Sequence, residues 1–291
     1  MELALGTVQF GLEYGVSNET GKIDKSSIIE ILEAAKGKVK YLDTANVYGN
    51  SEEILGQLSE CTSNFEIITK TAHIDNSTNE PGYLVDIEKS FHQSLNKLKR
   101  DNVDTLLVHN VNDLLSERSD DLYELLLKLQ NQGFVNKVGV SVYSASEAVD
   151  LSAKYSIQSV QFPINVLNQT FDNSGALKKL YKRGIELHAR SIYCQGLLLM
   201  QTDKLNPYFN SIKPVFNKYQ EMLANNNLSL TEGALGYIKQ IDKIDCMVFG
   251  VENKSQLLET LALLGSESPS IDYSPYAITD ESIINPSLWK L

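Results

Sequence analysis

Short apolar runs alternate along this chain with longer stretches in which apolar residues recur at three- and four-residue steps. Eight runs carry the strand pattern: residues 3–7, 39–45, 65–70, 103–109, 137–142, 159–164, 185–191 and 246–251. The clearest helical stretch is 83–99, where Leu84, Ile87, Phe91, Leu95 and Leu98 fall on one face. The same period predicts helices at 27–35, 51–58, 122–130, 145–155, 176–182 and 255–264. Two more are predicted before the last strand, at 208–224 and 231–241. Repeated strand-then-helix units imply a parallel sheet with right-handed crossovers. Eight of them predict an α/β fold closed as a (β/α)₈ TIM barrel. An open doubly wound sheet is the other arrangement, but no G-x-G-x-x-G follows the first strand. No low-complexity linker interrupts the pattern. Residues 1–291 are therefore expected to form one barrel domain, with 265–291 as a C-terminal tail over it.

Composition narrows the possible partners. The 291 residues carry a formal net charge of −11, which disfavours a broad nucleic-acid or anionic-membrane surface. Apolar runs such as 197–200 are too short to span a bilayer. The first residues lack the basic start and cleavage site of a secretory signal. Three scattered cysteines, Cys61, Cys194 and Cys246, fit a reducing compartment, so a cytoplasmic location is expected. His73, His92, His109 and His188 show no metal-ligand spacing with them, and no metal site is expected. Oligomeric state is not legible.

In a TIM barrel the chemistry sits at the C-terminal ends of the strands. The second strand ends in Asp43-Thr44-Ala45-Asn46-Val47-Tyr48-Gly49, the third at Lys70 and the fourth at His109. An Asp, a Tyr, a Lys and a His thus converge on one rim. Singly, the lysine reads as a solvated loop residue and the histidine as a hydrogen-bonded rim residue. Together they make a proton-donating site. A tyrosine near pKa 10 donates best when that value is brought toward working pH, and a neighbouring ammonium favours the phenolate. Lys70 supplies the ammonium, Asp43 holds it, and His109 orients a carbonyl oxygen by hydrogen bonding.

These residues resemble the catalytic tetrad of the aldo-keto reductase family. The resemblance runs over nearly the whole chain: Gly6-Thr7-x-x-Phe10-Gly11, then Asp43-Thr44-Ala45…Tyr48-Gly49…Ser51-Glu52, then Ile68-Thr69-Lys70. It continues through Ser94-Leu95-x-x-Leu98…Val103-Asp104-x-Leu106-Leu107-x-His109, Lys137-Val138-Gly139-Val140-Ser141 and Gln161-x-Pro163-x-Asn165. The resemblance implies a nicotinamide-dependent carbonyl reductase. Tyr48 would be the general acid, tuned by Lys70 and Asp43, with His109 binding the carbonyl. Ser141 and Gln161 would hold the nicotinamide carboxamide, with Thr7 beside the ring. Ser141 and Thr7 have a second reading, as satisfiers of rim backbone groups. Further cofactor contacts are implied at Gly6, Asp43, Arg190, Ser191, Gly250, Lys254, Gln256 and Glu259.

Three departures from the family pattern matter. Val142 stands where Asn often follows the strand-five serine, which removes one carboxamide hydrogen bond. Arg190 stands where many members stack an aromatic ring on the nicotinamide. A guanidinium also stacks, but Glu186, His188 and Arg190 share one strand face, so an Arg190–Glu186 pair is the competing reading. After strand eight, Gln256 occupies the usual arginine position, leaving Lys254 beside Glu252 for the 2′-phosphate. NADP(H) is the first expectation and NAD(H) the alternative. The polar loop 110–121 and the tail, with Tyr273, Tyr276 and Trp289, point to a small polar carbonyl substrate, such as a sugar-derived aldehyde. Trp289 would either cap the pocket or dock the tail. Two other functions compete: a cofactor-binding regulatory module with little or no turnover, and a metal-dependent barrel hydrolase. The second lacks any His-x-His or carboxylate cluster at the strand ends.

Overall fold

Eight parallel strands close into a barrel in sequence order among the described residues of the computed structural model, which are 1–18, 21–72 and 82–291. They are β1 (Glu2–Gly6), β2 (Tyr41–Asp43), β3 (Glu66–Lys70), β4 (Val103–Val108), β5 (Val135–Ser141), β6 (Ser159–Pro163), β7 (Glu186–Arg190) and β8 (Cys246–Phe249). All eight predicted strands are present, each end within two residues of its expected place. Pairing of β1 with β8, Leu3 opposite Met247 and Leu5 opposite Phe249, completes the ring. The predicted barrel is the observed one.

The helices follow the pattern with instructive exceptions. Those of seven or more residues are α1 (Lys25–Ala35), α2 (Ser51–Gln57), α3 (Tyr83–Leu98), α4 (Ser119–Asn131), α5 (Ala145–Lys154), α6 (Ala176–Lys182), α7 (Lys213–Asn225), α8 (Leu230–Lys239) and α9 (Lys254–Gly265). Helix α3 buries Ile87, Phe91, Leu95 and Leu98 of the face its period announced, and Leu84, in its first turn, is partly buried. Each such side chain contributes about 1.5–3 kcal/mol on full burial. Helix α4 begins three residues earlier than the apolar period suggested. Its first turn holds Asp120 and Asp121, which suit a helix N-terminus but carry no hydrophobic signal. The helix expected at 208–224 is split. A 3₁₀ segment, Pro207–Ile212, is capped by the Asn206 side chain, and α7 starts afresh with Pro214 in its first turn. Proline lacks the N–H that a continuous helix needs and is tolerated in a first turn.

Alternation along the strands separates two apolar regions. One large cluster lies between sheet and helices. A small one, Ala4, Tyr41, Ile68, Leu107, Cys246 and Val248, is distinct from it. Toward the N-terminal strand ends, Lys137 bridges Glu186 at 2.9 Å and Asp104 at 3.5 Å, and His188 Nε2 lies 3.4 Å from Glu186. Beyond α9 the tail packs back on the barrel. Gln169 donates to the Tyr273 carbonyl at 2.7 Å, and Ile278 N donates to Leu167 O at 2.8 Å. Trp289 packs edge-on against Phe209 with ring centres 4.9 Å apart, and its indole donates to Ile283 O at 2.9 Å. Of the two roles weighed for Trp289, the structure shows docking. Among the described residues no helix is long and apolar enough to cross a membrane. No group of three or more His, Cys, Asp and Glu in them is placed to hold a metal; His73 lies outside them.

Candidate active site

Strands β2, β3, β5 and β6 deliver the polar groups at one end of the barrel. Asp43 is the last residue of β2 and Lys70 the last of β3, so both side chains are held by paired backbone. They are almost wholly buried. Lys70 Nζ donates to Asp43 Oδ1 at 2.7 Å and to the Thr44 carbonyl at 2.9 Å. Gln161, on β6, donates its Nε2 to Asp43 Oδ2 at 2.7 Å. Burial lowers the proton affinity of the Lys70 ammonium. The Asp43 carboxylate and the Tyr48 phenol outweigh that effect and hold its pKa above the ordinary lysine value. The ammonium lies 5.0 Å from the centre of the Tyr48 ring. That ring meets His109 edge-on, with ring centres 6.2 Å apart. The His109 amide donates to Thr71 Oγ1 at 3.1 Å, fixing the chain where β4 ends.

Tyr48 stands on a loop, and two glycines seat it. A β-carbon on Gly11 would come within 1.9 Å of the Tyr48 carbonyl oxygen, so only glycine lets the loops after β1 and β2 approach this closely. Gly49, at φ +57°, occupies the left-handed region, and a β-carbon there would lie 2.5 Å from Gly11 O. Ser51 pins the same junction. Its Oγ lies 2.9 Å from Thr7 O and 2.8 Å from Thr7 Oγ1, and Thr7 Oγ1 donates to Asp43 O at 3.0 Å. The backbone-satisfying reading of Thr7 therefore holds, although Thr7 also borders the cavity described next.

Asp43, Tyr48, Lys70, His109, Ser141 and Gln161 line one cavity of about 600 Å³. Gly6, Thr7, Arg190, Ser191, Gly250 and Gln256 line it too. Lys254 and Glu259 do not: both are exposed on α9. Asn253 caps that helix by accepting from Gln256 N, and Gln256 Oε1 accepts from Glu252 N at 2.7 Å. Val142 is buried in the main core, away from the cavity lining. Arg190 does not pair with Glu186. They stand four positions apart on β7, about 13 Å at roughly 3.3 Å per residue, and Glu186 is engaged by Lys137 and His188. The Arg190 guanidinium instead donates to Val142 O and Ser191 Oγ, both at 3.3 Å, and lies 4.3 Å over the Tyr143 ring.

Sequence reasoning missed several lining residues: Gln9, Tyr14, Tyr143 and Gln195. Tyr14 and Tyr143 lie on loops, Gln9 in a one-turn helix and Gln195 in a 3₁₀ segment, all too short for a period to mark an inward face. Tyr14 sits close to Tyr48 and Arg190. Burial, reinforced by Tyr48 and opposed by Arg190, keeps its phenol well above the ordinary tyrosine value. Ser191 (φ +57°) and Gln195 (φ +53°) adopt left-handed backbone at the cavity wall, a strain of about 1–3 kcal/mol each that the surrounding fold must hold.

Comparison with known proteins adds the following. The profile of the aldo/keto reductase family matches residues 2–274. An uncharacterized oxidoreductase of Schizosaccharomyces pombe is 27% identical over 179 residues, covering 58% of this chain and 61% of that protein. The match thus spans less than two thirds of the relative's length. Among solved structures, the holo form of an aldo-keto reductase from Bacillus halodurans superposes with a TM-score of 0.74 at 18% identity, over 92% of this chain and 88% of the other. A glycerol dehydrogenase from Gluconobacter oxydans gives a TM-score of 0.70 at 19% identity, over 94% and 88%.

Proposed function

This chain belongs to the aldo/keto reductase family, and on that footing we propose that it reduces an aldehyde or ketone to an alcohol with a nicotinamide cofactor, Tyr48 acting as general acid. One observation carries the reading. A buried Lys70–Asp43 pair at 2.7 Å stands beside Tyr48, whose ring meets His109, and all four face one cavity. A buried, hydrogen-bonded ion pair is weak evidence for stability alone; beside a cavity tyrosine it has a chemical use. The ammonium stabilises charge on the phenolic oxygen as its proton leaves.

The cavity fits a nicotinamide. Asp43 can only accept hydrogen bonds, so it turns the donor end of the Gln161 amide toward itself. The other end, Gln161 Oε1, is buried with no partner. It is an acceptor suited to a carboxamide N–H, and Ser141, directly opposite Gln161 in the β5–β6 register, offers a hydroxyl for the carboxamide oxygen. When bound, the reduced nicotinamide supplies hydride to the carbonyl carbon. Tyr48 supplies the proton to the carbonyl oxygen and His109 orients that oxygen, so carbonyl, hydride and proton balance to an alcohol. Thr7 borders the ring site, and Gly6, Ser191, Gly250 and Gln256 border the rest of the cavity. Lys254 and Glu259, outside it, are left the exposed adenosine end.

The substrate is a small polar carbonyl compound, sugar-derived aldehydes included. NADP(H) is the favoured cofactor, with NAD(H) second. An exposed ion pair contributes about 0–1 kcal/mol, so a preference resting on Lys254 stays below about tenfold. Lys254→Ala should bring the two dissociation constants together, and Gln256→Arg should separate them in favour of NADPH.

The test is calorimetric titration with NADPH and NADH, followed by an aldehyde panel read at the reduced-nicotinamide absorbance. Cofactor binding with turnover that falls about 10²–10⁴-fold in Tyr48→Phe is expected. Binding without turnover on any aldehyde would instead favour a regulatory module, and no binding of either cofactor would sink the reading.

A further inference from the structure

Arg190 makes no ion pair among the described residues. Lys70, by contrast, is neutralised by Asp43. Its polar contacts are the Val142 carbonyl and the Ser191 hydroxyl. Both are neutral, as is the Tyr143 ring beneath it. The position of the guanidinium follows from the register. Gln161 pairs with His188, and Pro163 with Arg190, so Arg190 is one inward step nearer the cavity mouth than Gln161. Its Nη2 then crosses β6 to reach Val142 O at the end of β5, next to Ser141. Arg190 therefore lines the same cavity as the Ser141–Gln161 pair assigned above to the carboxamide, two residues further along the barrel wall than Gln161.

We infer that Arg190 is a redox-biasing residue that discriminates against the oxidised nicotinamide, so that the spent cofactor is bound more weakly than the fresh one. The inference rests on the cofactor reading above. A reduced nicotinamide ring is neutral and an oxidised one carries a positive charge. A guanidinium stacks on the neutral ring without electrostatic cost and repels the cationic one. The repulsion is switched on by the reaction itself, when hydride leaves the ring. By the thermodynamic cycle that joins binding to reduction, weaker binding of the oxidised form raises the potential of the bound couple. Each tenfold difference between the two affinities is about 30 mV for two electrons. The bound reduced cofactor is a correspondingly weaker hydride donor, and release of the oxidised form is faster. The 2′-phosphate and the pyrophosphate are the same in both forms, so the ratio of their dissociation constants isolates the ring.

The experiment is isothermal titration of the full chain with NADPH and with NADP⁺ at moderate salt. Wild type should bind NADP⁺ at least tenfold more weakly than NADPH. Arg190→Gln should bring the ratio within about threefold of unity, and Arg190→Lys should keep most of it. Tyr143→Glu places a carboxylate against the guanidinium while leaving Arg190 intact, and should narrow the ratio as Arg190→Gln does; it decides the matter if Arg190→Gln does not fold. A wild-type ratio near unity overturns the inference alone, as does a wild-type ratio retained in Arg190→Gln or in Tyr143→Glu. Binding of neither form overturns the cofactor reading beneath it.

Discussion

Asp43 has two carboxylate oxygens, and both are committed: one to the Lys70 ammonium, the other to the Gln161 amide. One buried residue thus ties the Lys70 ammonium beside Tyr48 to the amide of Gln161 on β6. Lys70→Met keeps the aliphatic stem and strands that carboxylate. Loss of one partner of a buried pair costs about 3–5 kcal/mol, and urea unfolding should show a loss of that order together with abolished turnover. The double variant Asp43→Asn/Lys70→Met should be less destabilised than the two single losses sum to, because the partners interact directly. The pair also has a pH signature. Lys70 has a folded pKa above its unfolded value near 10.5, so its contribution is complete below about 10.5 and is lost as pH rises through the folded value. An alkaline stability profile should show that loss in wild type and not in Lys70→Met. Asp43, Lys70 and His109 were legible in the sequence because each ends an apolar run at the chemical face of a barrel. The Arg190 environment was not, since alternation puts Glu186 on the same face but does not reveal that Lys137, two strands away, has claimed it.

Elements set the loops, and the loops set Tyr48. Gly11→Ala would drive a β-carbon into the Tyr48 backbone oxygen. Overpacking of this kind costs about 1–3 kcal/mol. Here the strain falls on Tyr48, the general acid proposed above, so turnover should drop more steeply than thermal stability. A contrasting change lies on the far side of the molecule. Helix α8 opens with a reciprocal cap, in which Ser229 accepts from Glu232 N and Glu232 accepts from Ser229 N. Ser229→Ala should cost about 0.5–2 kcal/mol and leave kcat and KM unaltered. Measured together, the two variants separate damage to the site from damage to the scaffold. Apolar period alone located the helices well. It passed over Pro214, which divides the segment before α7, and the acidic first turn of α4, because neither changes the hydrophobic stripe. Cavity residues such as Tyr14 and Tyr143 were hidden for a related reason: loops impose no repeat against which an inward side chain stands out.

At the scale of the whole molecule, the closed ring of strands was readable because eight strand-helix units permit few other arrangements, and its two ends divide the work. One end carries the cavity; the other carries Lys137, Asp104, Glu186 and His188. The hydrogen bond from His188, with that from Lys137, overcomes burial and brings the Glu186 carboxyl down to about 2. A folded value below the unfolded one near 4.5 means that the stabilisation is present above about pH 4.5 and drains away toward pH 2. Glu186→Gln should accordingly lower Tm at neutral pH, and the gap from wild type should close over that acid interval. The docked tail has a consequence of another kind. Trp289 is the chain's one tryptophan, so selective excitation of indole emission reads a single address, the contact with Phe209. The tail residues Tyr273, Tyr276 and Ile283 share the apolar cluster of the barrel helices. The emission red shift in urea should therefore coincide with the loss of helical circular dichroism, and an earlier red shift would mean that the tail peels away as a unit of its own.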